Sequence, residues 1–162
     1  MSFAKKLEVI EKKIRRECVC GGPGCNTCRD KISRIRRYEA ANIPVEYWLL
    51  AFKDFKGDQK FKEAFSEKIK SINDIYERGE SYAFVGNFGI GKTYAACCLL
   101  KKAIISDYSA KYYNMSDIIT KVLNKNDPDT LKELTEIDFL VIDEFSKRFI
   151  FASEKSEQIF GQ

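Results

Sequence analysis

One eight-residue stretch constrains the fold of this chain more than any other feature. It consists of Gly86, Asn87, Phe88, Gly89, Ile90, Gly91, Lys92 and Thr93, and it matches the pattern G-x-x-x-x-G-K-[ST]. Glycines in this pattern let backbone N–H groups turn inward around a phosphate, and the helix that follows directs its positive N-terminal end at the same anion. The pattern requires a strand before it and a helix after it, and the apolar segments 82–85 and 94–105 are suited to both. We therefore predict a strand–loop–helix unit that binds a nucleoside triphosphate, in preference to a glycine-rich turn with an incidental Lys-Thr pair.

The last two residues of this phosphate loop (residues 86–93) have specific expected roles. Lys92 is predicted to reach the β- and γ-phosphates as a catalytic residue, and the hydroxyl of Thr93 is predicted to bind Mg²⁺. Tyr94 follows directly and is included among the predicted nucleotide contacts. The expected cofactors of this site are ATP and Mg²⁺.

A second motif lies further along the chain. The segment 137–144 is apolar and rich in branched residues until it ends in Asp143 and Glu144. Such a run predicts a strand buried on both faces of a parallel sheet, with acids at the end where α/β sheets bind ligands. Asp143 is the expected support of the Mg²⁺ ion, and Glu144 is the expected base that orients the attacking water. The alternative is a strand that happens to end in two solvated acids.

The remaining pattern predicts strands that alternate with helices. One amphipathic helix is expected over 58–79, with Gly79 as its stop, and a strand over 110–115. Ser116 and Asp117 are expected to cap a helix over 118–123, and another short helix is expected to open at residues 127–129. This order favours an α/β fold of the P-loop nucleotide triphosphatase class with a partial parallel sheet.

Four cysteines near the N-terminus form a second candidate site. Cys18, Cys20, Cys25 and Cys28 follow the spacing C-x-C-x₄-C-x₂-C, with a Gly/Pro-rich turn between the pairs. Four thiolates in tetrahedral geometry favour zinc, and closing so short a loop on the ion supplies folding free energy. An unmetallated loop, a redox pair and an iron–sulfur cluster are the alternatives. Cys97 and Cys98 lie in the helix after the phosphate loop, where cysteine acts as a small apolar residue.

Composition narrows the class of protein. No stretch reaches 18 apolar residues and the N-terminus lacks the apolar core of a signal peptide, so a cytoplasmic protein without a membrane span is expected. There is no histidine, so a metal site must use thiolates and carboxylates. Residues 1–38 hold 11 Lys/Arg and 4 Asp/Glu, a net +7, whereas residues 39–162 hold 17 and 20, a net −3. This asymmetry favours an acidic or nucleic-acid partner for the N-terminal part, or else a solvated basic helix.

The basic N-terminal part is predicted to be a separate helical, zinc-binding module. Phe3, Leu7, Ile10 and Ile14 share one face of a helix over 3–17. This stripe is expected either to anchor a protein partner or to pack on the zinc module. Pro44 disfavours helix at the preceding residue, so we predict a linker at about residues 37–44 and a division into 1–38 and 39–162.

Taken in order, these motifs resemble the bacterial and phage replicative-helicase loaders of the DnaC/DnaI type, which are AAA+ ATPases. The resemblance rests on the cysteine cluster, the Ala41-Asn42-Ile43-Pro44 segment with Tyr47-Trp48, the phosphate loop, and Val141-Ile142-Asp143-Glu144. It implies an N-terminal module that grips a hexameric replicative DNA helicase. It also implies that the segment 42–48 lies near the adenine base and that the ATPase domain binds ATP and single-stranded DNA. Self-association of the chain is a separate expectation.

The chain also departs from that family. It has 18 residues after Glu144 and contains none of the later parts, namely a sensor residue, an arginine finger and a closing helical region. Arg148 lies too close to the acidic strand to be the finger. We therefore expect a piece of a longer protein more than a natural short form, with segments 81–85 and 137–143 lacking a common neighbour. Hydrolysis by these residues alone is expected to be slow or absent, because a finger contributes roughly 10³–10⁵ in rate.

Three functions fit these observations. The first is a helicase-loader-like protein in DNA replication, in which ATP binding changes the grip on helicase and single-stranded DNA. The second is a transposition-helper ATPase similar to IstB, against which the cysteine cluster argues. The third is a non-enzymatic adaptor whose zinc module binds a protein partner.

Overall fold

The computed structural model describes residues 3–20, 25–123 and 128–145. Its elements are α1 (Phe3–Glu17), α2 (Asn26–Ala40), α3 (Gln59–Lys70), α4 (Ile72–Glu77), α5 (Lys92–Ile105), β1 (Ala110–Asn114), α6 (Met115–Leu123), α7 (Pro128–Glu136) and β2 (Phe139–Asp143), with two short 3₁₀ helices at Val45–Tyr47 and Phe52–Asp54. Within these ranges β1 and β2 form a two-stranded parallel sheet that pairs Tyr112 with Val141 and Asn114 with Asp143. This arrangement confirms the predicted α/β class. No helix in the described ranges is long and apolar enough to cross a membrane.

The first two helices pack against each other through the predicted apolar stripe. Helix α1 has the bounds that the spacing predicts. Ile14 is buried, and Leu7 and Ile10 are partly buried against a cluster that includes Ile32 and Ile35 of α2. The stripe therefore faces the protein's own core, as in the second of its two interpretations. The side chain of Phe3 lies outside the described residues.

The core runs without interruption from α2 into the rest of the chain. Ile35 and Tyr38 of α2 belong to the same apolar cluster as Ile43, Trp48 and Leu100. The indole N–H of Trp48 donates to the carbonyl oxygen of Ile43 at 2.7 Å, which closes the bend after α2. The division near residue 38 stays a prediction, and these contacts cross it.

A buried lysine attaches the segment after α2 to α5. Lys101 is 6% exposed, and its ammonium donates to the carbonyl oxygens of Tyr47, at 2.5 Å, and Leu50. One face of α5 also carries Tyr94, whose hydroxyl donates to the carbonyl oxygen of Ala51 at 2.6 Å. The segment 47–51 is thus held at two points on the helix that follows the phosphate loop.

Three predicted elements differ from the structure. The helix predicted over 58–79 is broken at Ser71 into α3 and α4, and this break buries Ile72 and Ile75 while leaving Tyr76 46% exposed. Helix α6 begins at Met115, so Ser116 and Asp117 lie inside its first turn instead of capping it. The segment 81–85 is not a strand, because backbone pairing defines a strand and no described strand lies beside it.

Among the described residues, β2 has a strand neighbour on one side only, because the segment 81–85 is unpaired. A cavity of about 1240 Å³ is lined by residues 81–86, by residues 137–145, and by Ala96 and Leu99 of α5. Ile142 is 42% exposed, so the prediction that β2 is buried on both faces is wrong. The expectation that 81–85 and β2 lack a common neighbour holds among the described residues.

Candidate nucleotide site and cysteine cluster

The backbone of the phosphate loop adopts conformations that glycine tolerates best. Gly86, Gly89 and Gly91 have φ values of 149°, 81° and 93°, and Gly91 caps the N-terminus of α5. A Cβ atom placed on Gly91 would lie 2.5 Å from a ring carbon of Phe55, which is itself buried. The loop therefore rests on an aromatic ring, and its close approach to that ring requires glycine.

Lys92 lies across the loop. Its ammonium donates to the carbonyl oxygens of Gly86, at 2.9 Å, and Asn87, at 2.8 Å. Lys92 is also the first residue of α5, and its charge and the N-terminal end of that helix both favour an anion at the loop. This is the electrostatic arrangement that a triphosphate requires.

Thr93 and Asp143 meet although fifty positions separate them in the sequence. The hydroxyl of Thr93 donates to Oδ2 of Asp143 at 2.6 Å. The other carboxylate oxygen, Oδ1, accepts from the backbone N–H of Glu144 at 2.8 Å. The two sequence motifs therefore converge, because β2 ends beside the first turn of α5.

The environment keeps the Asp143 carboxylate charged. Burial acts to raise its pKa, but hydrogen bonds from the Thr93 hydroxyl, the Glu144 backbone and the Tyr112 hydroxyl outweigh burial, with help from the charge of Lys92. The pKa of Asp143 accordingly lies below its usual range. A hydroxyl oxygen beside an anionic carboxylate oxygen is a donor set that suits Mg²⁺, so the residues present fit this ion.

Glu144 ends β2 in an unusual backbone conformation. Its φ is 56°, in the left-handed region that a residue with a side chain rarely adopts. Its side chain is exposed beyond the end of the strand. Strained backbone of this kind is concentrated at functional sites, and the role of Glu144 as the base stays a prediction.

The remaining predicted contacts lie at the rim of the loop or away from it. Phe88 is fully exposed and Ile90 is 47% exposed. The side chain of Tyr94 turns toward Ala51 and packs edge-on against the rings of Tyr47 and Phe55. Its side chain therefore holds the segment before the loop, and its backbone belongs to the first turn of α5.

Sequence reasoning missed two residues that complete the site. The ring of Phe55 lies against Gly91 of the loop. The hydroxyl of Tyr112 donates to Oδ2 of Asp143 at 2.8 Å. The alternation of side chains along β1 places Tyr112 on the same face as Asn114, which pairs with Asp143. A tyrosine two positions before the end of the neighbouring strand was the available signal.

The four N-terminal cysteines lie together as their spacing predicts. All four Sγ atoms lie within 4.8 Å of one another. Individual separations are 3.2 Å for Cys18 and Cys20, 3.5 Å for Cys18 and Cys25, and 3.8 Å for Cys20 and Cys28. A zinc tetrahedron with Zn–S distances of about 2.3 Å has S–S edges of about 3.8 Å. The four sulfur atoms therefore fit a zinc ion.

Local structure orders this cysteine cluster (Cys18, Cys20, Cys25 and Cys28). Cys25 caps α2 by accepting the backbone N–H of Cys28 at 3.3 Å. Hydrogen bonds from the Cys20 backbone and neighbouring thiols lower the pKa of Cys18, whereas donation toward Cys18 and burial raise the pKa of Cys28. In the absence of a cation the sulfurs share protons, and a zinc ion would hold all four as thiolates.

A family model described as IstB-like ATP binding protein matches residues 25–160 of this chain. The match includes the phosphate loop, Asp143 and Glu144, and it begins at the third cysteine of the cluster. Helix α1, Cys18 and Cys20 precede it. No match was found to a curated protein or to a solved structure.

Proposed function

Because this chain belongs to the IstB-like ATP binding protein family, a P-loop family of the AAA+ type, we propose that it is a helicase-loader-like switch controlled by ATP. In this proposal Mg-ATP binds at the phosphate loop. The N-terminal helix pair, α1 and α2 with the cysteine cluster between them, grips a replicative helicase. Single-stranded DNA is the second partner of the proposed complex.

The contact between Thr93 and Asp143 carries the nucleotide part of the proposal. It places the hydroxyl and the carboxylate 2.6 Å apart at the N-terminus of α5, on the helix that also carries Lys92. Magnesium bound there would neutralise phosphate charge. Lys92 would exchange its two loop carbonyls for phosphate oxygens, and α5 would direct its N-terminal N–H groups at the same group.

A titration with a fluorescent ATP analogue in the presence of Mg²⁺ tests this site. Lys92→Ala is expected to weaken binding by roughly tenfold or more, because it removes a charge-assisted contact to phosphate. Lys102→Ala is the matched control, since it removes the same charge from the same helix, ten residues further along. Equal affinities for the two variants would exclude a working phosphate loop.

The N-terminal helix pair supports the partner half of the proposal. The apolar face of α1 packs into the protein's own core. The other faces of the helix pair carry most of the basic residues of the N-terminal part. A compact, basic surface fixed by a zinc ion suits a persistent grip on an acidic protein or a nucleic-acid backbone. The proposed partner surface is therefore the charged side of α1 and α2 and not the apolar stripe.

The family match supports a second candidate, a transposition-helper ATPase similar to IstB. The two candidates differ in the protein that is bound in an ATP-dependent way. Purified chain should capture the host's hexameric helicase under the loader proposal, and a transposase under the helper alternative. Capture should require Mg-ATP and should be lost in Lys92→Ala. Nucleotide-independent capture of either partner would instead support the adaptor alternative.

A further inference from the structure

Tyr112 is a buried residue that directs its only polar atom at the candidate metal site. It is 7% exposed and lies in the middle of β1. Its hydroxyl donates to Oδ2 of Asp143 at 2.8 Å, and Asn114 Oδ1 lies further away at 3.3 Å.

The sheet register explains how the hydroxyl reaches this carboxylate. Tyr112 pairs with Val141, and Asn114 pairs with Asp143. Paired residues of a parallel sheet share one face, so Tyr112 and Asp143 lie on the same face but two positions apart along the strands. A tyrosine is long enough to span this diagonal. Phenylalanine would fill the same space and leave Oδ2 without its second hydroxyl donor.

The Asp143 carboxylate is held at both oxygens. Oδ1 accepts the backbone N–H of Glu144, and Oδ2 accepts the hydroxyls of both Thr93 and Tyr112. These donors come from the end of β2, from α5 and from β1. If the Thr93 hydroxyl binds the magnesium ion, the donors from Tyr112 and from the Glu144 backbone still hold the Asp143 carboxylate in one orientation.

We infer that Tyr112 is a positioning residue for the magnesium ion of the proposed Mg-ATP site, acting through the orientation of Asp143. The inference rests on the proposed function and extends it by one residue that no sequence motif contains. Partners that orient the groups around a metal typically change its affinity by 10–100-fold when they are removed. The Tyr112 hydroxyl donates to Asp143, so its influence on nucleotide binding passes through that carboxylate and the ion. The expected effect is therefore confined to binding that requires the ion.

The neighbouring tyrosine provides a matched control. Tyr113 is 5% exposed on the same strand, and its hydroxyl donates to a carboxylate oxygen of Glu133 at 2.6 Å. Glu133 lies in α7, on the other side of the sheet from α5. Tyr113→Phe therefore removes a partly buried hydroxyl–carboxylate hydrogen bond that does not involve Asp143.

The experiment compares the affinity for a fluorescent ATP analogue with Mg²⁺ and with EDTA. With Mg²⁺, Tyr112→Phe is expected to bind the analogue roughly tenfold more weakly than the parent protein does. With EDTA, the two proteins should bind it equally. Tyr113→Phe is expected to match the parent in both conditions. Titration with Mn²⁺ in the presence of nucleotide, followed by electron paramagnetic resonance, should show the same loss of ion affinity in Tyr112→Phe alone.

Addition of Asp143→Asn separates positioning from packing. If Tyr112 acts through Asp143, then Tyr112→Phe should have no further effect on ion affinity in the Asp143→Asn background. The inference would be overturned if the nucleotide affinity of Tyr112→Phe and that of Tyr113→Phe changed equally between Mg²⁺ and EDTA. Unfolding of Tyr112→Phe, judged by circular dichroism while Tyr113→Phe stays folded, would also overturn it.

The failure of this inference is distinct from the failure of the proposed function. If the parent binds Mg-ATP and Lys92→Ala does not, the nucleotide site stands whatever Tyr112→Phe does. If the parent shows no Mg²⁺-dependent binding, the proposed function fails first and the positioning role fails with it.

Discussion

The cysteine cluster and the nucleotide site are built in opposite ways. All four cysteines come from eleven consecutive residues, 18–28, and only Cys28 among them is buried. The nucleotide site joins Thr93 to Asp143 across fifty positions and rests on the buried ring of Phe55. The first site brings its ligands together locally, whereas the second is assembled by the packing of the whole domain.

This difference decides what each site needs in order to keep its shape. Deprotonated sulfur atoms within 4.8 Å of one another repel, so we expect the predicted zinc ion to stabilise their arrangement. The Asp143 carboxylate already has protein donors on both oxygens. The cysteine cluster should therefore lose its structure without its metal, and the nucleotide site should keep its structure without its ligand.

Removal of zinc should give the largest effect. Cys25→Ser is expected to lower the metal content from one ion per chain to near zero and to release α1 from α2. Structural zinc contributes about 10–16 kcal/mol in small sites, and a helix of this length is marginal alone. Hydrogen exchange should speed up in α1 and stay slow in α5, and nucleotide affinity should be unchanged.

The control for zinc is a cysteine outside the cluster. Cys98 is buried in α5, so Cys98→Ser should keep the full zinc content. Parent protein without bound zinc, or loss of nucleotide affinity in Cys25→Ser, would show that the two sites do not differ as described.

The features that sequence predicted well are local ones. The spacing of apolar residues from Phe3 to Ile14 correctly predicted helix α1. The loop pattern correctly placed Lys92 and Thr93 at the start of α5. The cysteine spacing predicted the cluster for the same reason. Each of these depends on residues close in sequence.

The features that sequence missed depend on tertiary contacts. The apolar run 81–85 has the composition of a strand, but a strand requires a paired neighbour and none of the described segments supplies one. No local pattern marks Phe55 or Tyr112, because their roles come from tertiary contacts: Phe55 lies against Gly91, and Tyr112 donates to Asp143. Ser71 breaks the predicted helix where burial of Ile72 and Ile75 favours a change of direction.

A second, smaller effect tests whether packing builds the nucleotide site. Phe55→Ala should lower the free energy of unfolding by about 3–5 kcal/mol, since it removes a buried ring. Phe65→Ala removes an equally buried ring of the same aromatic group, with a similar expected loss. Only Phe55 lies against Gly91. Chemical denaturation measures the stability of both variants.

The affinity for Mg-ATP separates these two variants. Phe55→Ala should weaken binding beyond any effect of stability, because the loop loses its support, and Phe65→Ala should bind as the parent does under conditions where both are folded. Equal affinities for the two would show that the loop holds its conformation without the ring.

The smallest expected effect lies at the opposite end of the strands from the nucleotide site. Asp138 Oδ2 accepts the backbone N–H and the hydroxyl of Ser109, at 2.8 and 2.6 Å, which joins the amino ends of β1 and β2. These hydrogen bonds from Ser109 lower the pKa of Asp138. A carboxyl whose folded pKa is lowered stabilises the fold above its unfolded pKa, and this contribution disappears as the pH falls through the folded pKa. Because Asp138 is exposed, the contribution is less than about 1 kcal/mol.

Asp138→Asn should therefore flatten the loss of stability between about pH 5 and about pH 3 and change little else. Urea denaturation across this range measures it, with Asp74→Asn as an exposed control in α4. Mg-ATP affinity at neutral pH should be unchanged, since the buried side chains of Phe139 and Tyr112 keep the two strands in register. If Asp138→Asn weakens Mg-ATP binding as Tyr112→Phe is expected to do, then the register of β1 and β2 depends on the two surface hydrogen bonds between Ser109 and Asp138. The nucleotide site would then depend on one pair of surface residues, much as the cysteine cluster is expected to depend on its ion, and the proposed difference between the two sites would be lost.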